Sequence, residues 1–252
     1  MTALLAEAAR ERVARADEVE VSWVTPDAVE QSLRLSDAWA VPFECGLPVR
    51  RFTARKGQRH LSGLWWCATT GGHVGFESWL ERDQLMLLDF DPAVSGIASQ
   101  PLWLRWRGEG GQRVSHAPDY FVRRADGSGS VVDCRPVDRR PAGDAAKFEA
   151  TASVCAQIGW EYQLLGAAEP VAAANVRWLA GYRHPRHDVP AIAGVLRQVF
   201  ATPIGLHTGA DGAGDPITVL PVLFHLLWRG ELVADLSVPL HEGTLVRPAG
   251  AR

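Results

Sequence analysis

Three short stretches place acidic side chains at spacings suited to work on phosphate esters. Glu77 and Glu81 stand four residues apart in Phe76-Glu77-Ser78-Trp79-Leu80-Glu81, so on a helix both carboxylates point the same way. Asp119 follows Pro118 on the return strand of an expected hairpin. Asp133 and Arg135 flank Cys134 at the end of the apolar run Val131-Val132, and residues two apart on a strand share a face. Mg2+ takes hard oxygen ligands. Asp119 and Asp133 on adjacent strands are expected to supply two carboxylates, and a helical Glu a third. Such a cation, with Mn2+ as its substitute, would neutralise a scissile phosphate and help to deprotonate a water. The cation of Arg135 would sit near the phosphate; without it, buried aspartates repel each other and take up protons.

Taken singly, each stretch has an ordinary reading. Pro-Asp is a turn dipeptide. Asp133 can be an edge acid paired with Arg135, and Glu77 and Glu81 can be a solvated helix face. The order in which the elements occur gives the combination its weight. Residues 61–70 read as a strand, Gly71-Gly72 as a turn, and Phe76 to Leu87 as a helix stopped at Asp91-Pro92. Strand character runs from Val94 through Trp106, 108–111 is a hairpin turn, and 113–124 is the return strand. A turn at 125–130 precedes the strand around Val131 to Val137. An amphipathic helix over 144–158 and a strand from Trp160 complete the series. This is an α/β pattern with a mixed sheet flanked by helices. Cys134, alternating with Asp133, is expected to face the core.

Outside this centre, residues 3–16 read as a helix, and Val19, Val21 and Trp23 as a strand. Residues 49–60 form a basic strip, either solvated or in contact with phosphates. The C-terminal part reads as a helix from Asn175, a helix over 189–200, a loop over 206–216, a helix from Ile217 and a terminal strand pair. That is the pattern of a winged-helix-like module. The expected division is 1–60, an N-terminal extension; 61–168, a core; and 169–252, the C-terminal module.

The net charge is −3, which argues against a strong autonomous DNA binder, because phosphate neutralisation supplies most of such affinity. Recruitment to DNA by a partner fits better. The four Cys form no Cys-x-x-Cys pair, so a zinc knuckle is not expected. His184 and His187 are three apart, but Pro185 spoils the helical spacing for a metal pair. There is no nucleotide-binding Gly-x-x-x-x-Gly-Lys loop. The N-terminus is charged and the apolar run 219–228 is too short to span a membrane, so a cytoplasmic, nucleoid-associated location is expected.

The run from Phe76 through Gln100-Pro101, followed by His116-Ala117-Pro118-Asp119-Tyr120 and Asp133-Cys134-Arg135, resembles the PD-(D/E)xK nuclease superfamily. Within it the chain looks most like the TnsA family, with similarity over roughly residues 74 to 165. Residues 178–186 and 225–240 look similar to the C-terminal region of actinobacterial TnsA-like proteins. The resemblance implies a restriction-endonuclease-like fold and a Mg2+-dependent DNA endonuclease that cuts the 5′ strand at transposon ends. It also implies a DDE-type, TnsB-like partner and an AAA+ regulator. It gives Glu81 the helical catalytic role, with Glu77 as its alternative occupant. Asp119 becomes the metal-binding Asp, Asp133 the second acid, and Gln100 a further site residue. Arg135 stands where the family carries Lys, and Lys147 is a cation that could reach in instead. Arg50, Arg51, Arg55, Lys56, Arg139 and Arg140 are the expected DNA contacts. Two other readings stay open: a catalytically degenerate subunit that binds DNA and bridges to the transposase, and a nuclease of this fold in defence or repair.

Overall fold

The computed structural model describes residues 14–50, 62–108, 110–136 and 142–250. Two strands, β1 (Glu20–Val24) and β2 (Glu30–Arg34), are followed by a hairpin of β3 (Gly63–Cys67) and β4 (Gly72–Phe76). Then come α1 (Trp79–Phe90), β5 (Val94–Ser99), β6 (Trp103–Arg107), β7 (Arg113–His116), β8 (Tyr120–Arg124) and β9 (Gly129–Cys134). Helix α2 (Ala142–Gln157) leads to β10 (Glu161–Leu165). The C-terminal part has α3 (Pro170–Leu179), α4 (Pro190–Val199), β11 (Ile204–Gly205), α5 (Leu206–Ala213), α6 (Pro216–Trp228), β12 (Leu232–Ala234) and β13 (Leu245–Pro248). The protein is a mixed α/β fold. Among the described residues no helix is long and apolar enough to cross a membrane.

The central sheet has the order β10-β9-β8-β5, with β5, β8 and β9 antiparallel and β9 parallel to β10. The parallel step requires a crossover, and α2 supplies it. All six residues of β9 are buried, which only a sheet covered on both faces allows. Side chains alternate accordingly. Phe121 and Val131 join Val154, Cys155 and Trp160 on the α2 side, whereas Tyr120, Val122, Val132 and Cys134 pack with Leu85 and Leu88 of α1 and with Val74 and Phe76 of β4. Gly129 opens β9 where the ring of Trp160 and Phe121 would meet a Cβ at 2.8–2.9 Å, so the chain passes there only without a side chain.

A second sheet, of order β2-β1-β6-β7, carries Val21 and Leu104 into the α2-side core. The expected strand from Val94 through Trp106 is therefore two strands in two sheets, and the expected return strand 113–124 is likewise β7 and β8. The chain switches sheets at Gln100-Pro101 and at Ala117-Pro118. Proline has no amide to continue a ladder, which ends each strand there.

Other expectations are corrected. Phe76 ends β4 and is not helical, and Glu77 precedes α1 instead of lying on it. Residues 14–16 are not helical, and the remainder of the expected first helix lies outside the described residues. The C-terminal helix expected from Asn175 begins at Pro170. The stretch expected as a loop over 206–216 is largely helix α5. Its glycines hid it: Gly209 is not a turn residue but a contact, with Phe200 ring carbons where a Cβ would stand.

Helix α1 joins the two halves. Leu85 and Leu88 face the central sheet while Met86 enters the C-terminal core with Leu196, Leu223 and Val246. Near its C-terminus, buried Asp89 accepts hydrogen bonds from Trp65 Nε1, Cys67 Sγ, the amides of Ala68 and Thr69, and Thr69 Oγ1, at 2.8–3.1 Å. This one carboxylate locks the β3–β4 hairpin onto α1. Arg183 lies over the Trp65 ring at 3.9 Å and donates to the Trp66 carbonyl, binding the hairpin to the residues after α3. The His184 ring lies 4.7 Å from that of Trp66, tilted by 35°.

Candidate active site

The site forms where β8 and β9 lie side by side. Asp119 immediately precedes β8 and is 4% exposed; Asp133 is the fifth residue of β9 and is fully buried. Tyr120 is opposite Val132 in the ladder, which brings the two acids to the same end of the sheet. Asp119 Oδ2 accepts from the Cys134 amide at 2.7 Å and from Arg135 Nη1 at 2.9 Å. Arg135 also donates to the Cys134 carbonyl, and its guanidinium lies 6.0 Å from the Phe148 ring centre on α2. Burial raises the Asp119 carboxyl to about 7; the Arg135 charge opposes this, and the Asp133 and Glu81 charges add to it.

Asp133 Oδ2 accepts from His116 Nε2 at 2.7 Å and from the Tyr162 hydroxyl at 2.8 Å. Its Oδ1 has no partner among the described residues. Burial, reinforced by the Asp133 charge, raises the Tyr162 phenol far above its ordinary value, so the hydroxyl stays a donor. Neither His116 nor Tyr162 was among the expected site residues. The tripeptide His116-Ala117-Pro118 gave a weak signal for the first. Nothing local could have pointed to Tyr162, which arrives through the parallel pairing of β10 with β9.

Glu81 reaches the same neighbourhood from α1. Ser78 is the N-cap: its Oγ accepts from the Glu81 amide at 3.1 Å and donates to Glu81 Oε1 at 2.9 Å, while Glu81 Oε2 accepts from the Glu77 amide at 2.7 Å. This is a variant of the capping box in which the reciprocal donor is the amide of Glu77, one residue before the N-cap, and both carboxylate oxygens are already used. Burial raises the Glu81 pKa, against the pull of these hydrogen bonds. Glu77 turns outward to Arg50 Nη2 at 2.6 Å. Gln100 has φ +47°, its amide donates to the Asp119 carbonyl at 2.8 Å, and its buried Oε1 is unpartnered among the described residues. A left-handed backbone at a non-glycine residue costs about 1 kcal/mol or more. Here it lies at the bend that leads from β5 to the second sheet. Lys147 pairs with Asp144 on its own helix at 3.4 Å. Cys134 faces the core as expected.

Of the expected DNA contacts, Arg50 is described and is engaged by Glu77; Arg51, Arg55, Lys56, Arg139 and Arg140 lie outside the described residues. A different cluster of arginines stands on the second sheet. Arg107 is directly opposite Arg113, with Arg105 two residues away on the same face, along a cleft of about 900 Å³ also lined by Glu18 and Glu20.

Among the described residues no group of three or more His, Cys, Asp or Glu side chains is gathered as a ready metal cage. Among the described residues, Asp119 and Asp133 stand together at one end of neighbouring strands as carboxylates suited to a hard cation, while both oxygens of Glu81, the third expected ligand, are engaged at the start of α1. Mg2+ is commonly held by one or two carboxylates together with substrate phosphates. The unpartnered, fully buried Oδ1 of Asp133 fits that use, since an isolated charged oxygen is otherwise costly to bury. No protein-family model and no curated protein matches the chain.

Proposed function

We propose that the chain is the endonuclease subunit of a TnsA/TnsB-like transposase, a Mg2+-dependent phosphodiesterase that cuts the 5′ strand at transposon ends beside a DDE-type partner. The observation that carries this reading is the pair of buried carboxylates, Asp119 and Asp133, at one end of neighbouring strands, with Arg135 on the first and an unpartnered oxygen on the second. The order helix, three antiparallel strands, helix, parallel strand supports a restriction-endonuclease-like core. Helices α4 to α6 followed by the β12–β13 pair support a winged-helix-like C-terminal module that docks on the partner or on DNA.

In this reading Asp119 and Asp133 would hold the cation, which would supply charge neutralisation of the phosphate and a more acidic water. Arg135 is paired with Asp119, and with a cation held there its guanidinium would be available to the phosphate. It cannot serve as a base, because it does not lose its proton. Glu81 closes the N-terminus of α1 beside the site, and its effect on the reaction is electrostatic. The Arg105, Arg107 and Arg113 face is the candidate contact to the DNA backbone, which would repay the like-charge opposition of Arg107 and Arg113.

A second reading, a subunit that binds DNA and bridges to the transposase without cutting, draws on two observations: Arg135 already occupies Asp119 Oδ2 at 2.9 Å, and both Glu81 oxygens are used in the cap. Cleavage of transposon-end DNA with Mn2+ and a partner transposase separates the two. Cutting that is lost in Asp119→Ala supports the nuclease. Cutting unchanged in that variant removes the site assignment, and no cutting by either protein, with DNA and partner bound, favours the bridging subunit.

A further inference from the structure

We infer that His116 and Tyr162 are positioning residues: they clamp one oxygen of Asp133 so that the other, Oδ1, is presented to a divalent cation beside Asp119. This rests on the metal-dependent reading above. Asp133 is fully buried, and both donors fall on Oδ2, at 2.7 and 2.8 Å. Hydrogen bonds to an ionised carboxylate are short and strong, and two on the same oxygen fix the rotation of the group. The donors come from different elements, so the carboxylate is held from two directions. His116 ends β7 of the second sheet, where it is opposite Leu104. Tyr162 lies on β10 opposite Val131, two residues along from the partner of Asp133, a diagonal that a tyrosine can span. The His116 ring is itself packed edge-on against Phe148 of α2 at 5.9 Å.

The other buried carboxylate with many donors, Asp89, shares its five between both oxygens. At Asp133 one oxygen takes both and the other takes none. That asymmetry is what a ligand requires: a fixed group with one free oxygen. Groups that hold a metal ligand in place commonly change metal affinity by about 10- to 100-fold when lost.

The test is calorimetric titration of Mn2+ into the full chain, alone and with a short DNA duplex, for the wild type, Tyr162→Phe, His116→Phe and His116→Gln. Tyr162→Phe removes only the hydroxyl, and His116→Gln keeps an N–H donor near the Nε2 position. The expected result is a loss of about 10- to 100-fold in affinity for Tyr162→Phe and His116→Phe, with His116→Gln close to wild type. Equal affinity in wild type and Tyr162→Phe, both folded by circular dichroism, overturns the clamp and leaves the metal reading standing. If the wild type binds no Mn2+ in either condition, the metal reading and the clamp fail together. Should His116→Phe not fold, Tyr162→Phe decides alone.

Discussion

Replacing Asp119 by Asn should make the metal-free protein more stable at alkaline pH, and the gain should vanish on acidification. Asp119 titrates at about 7 in the fold against an ordinary 3.8, chiefly because burial disfavours its charge. A carboxyl whose folded pKa lies above its unfolded one favours folding fully below about pH 4 and loses that contribution as the pH rises through about 7. The interval from 3.8 to about 7 corresponds to a loss of about 4 kcal/mol at about 1.4 kcal/mol per unit. Asparagine can still accept from the Cys134 amide and carries no charge to bury. Arg135 loses an ionic partner in the variant, so the informative quantity is how the stability difference changes with pH. For a chain of this size 1 kcal/mol moves Tm by roughly 2–4 °C. The assay is thermal or urea unfolding of both proteins in chelator between pH 5 and pH 8. The variant should gain on the wild type across this range by several degrees. A flat or reversed difference would mean instead that Arg135 holds Asp119 ionised despite its burial. Saturating Mn2+ should cancel the wild-type loss at pH 8, since a cation that binds only the folded, ionised site stabilises it.

Ser78→Ala removes the cap of α1 and one partner of Glu81 and should cost about 1 kcal/mol in urea unfolding; no loss would mean that the capping box contributes nothing. Asp89→Ala leaves four donors unanswered, Thr69 Oγ1 keeping the main-chain carbonyl of residue 89, and should destabilise by about 3 kcal/mol or more, read by the same assay. Gly209→Ala drives a Cβ into the Phe200 ring and should cost about 1–3 kcal/mol; a neutral outcome would contradict the close packing of α5. Replacing both Arg107 and Arg113 by Ala should weaken binding to any duplex alike and lower the slope of log K against log salt by about 2, measured by fluorescence anisotropy across a salt series. An unchanged slope would remove these arginines from the DNA surface.

The local pattern was enough for much of the fold. Period-two alternation and turn residues marked the hairpin of β6 and β7, the buried strand β9 and the strand β10, and helical periodicity marked α1, α2, α4 and α6. The acids Asp119 and Asp133 were legible because Pro118 precedes the one and because Val131-Val132 and Arg135 frame the other on the next expected strand. What local pattern misses is a change of sheet. Val94 to Trp106 reads as one extended run, but Gln100 bends it between two sheets, and only the packed core distinguishes the two outcomes. Gly209 and its neighbours read as loop because glycine is a poor helix former; the Phe200 ring filling the space of a side chain overrides that propensity. Glu77 and Glu81 look equivalent four apart, yet the cap at Ser78 leaves one outside the helix and buries the other. The composition of the chain and the order of its elements thus determined that two buried acids would meet on a mixed sheet. Tertiary structure alone decided which donors hold them. His116 and Tyr162 lie 17 and 29 residues from Asp133, and no periodicity extends that far. Their meeting depends on a parallel strand pairing and on a second sheet packed against α2, and contacts of that kind are made by folding.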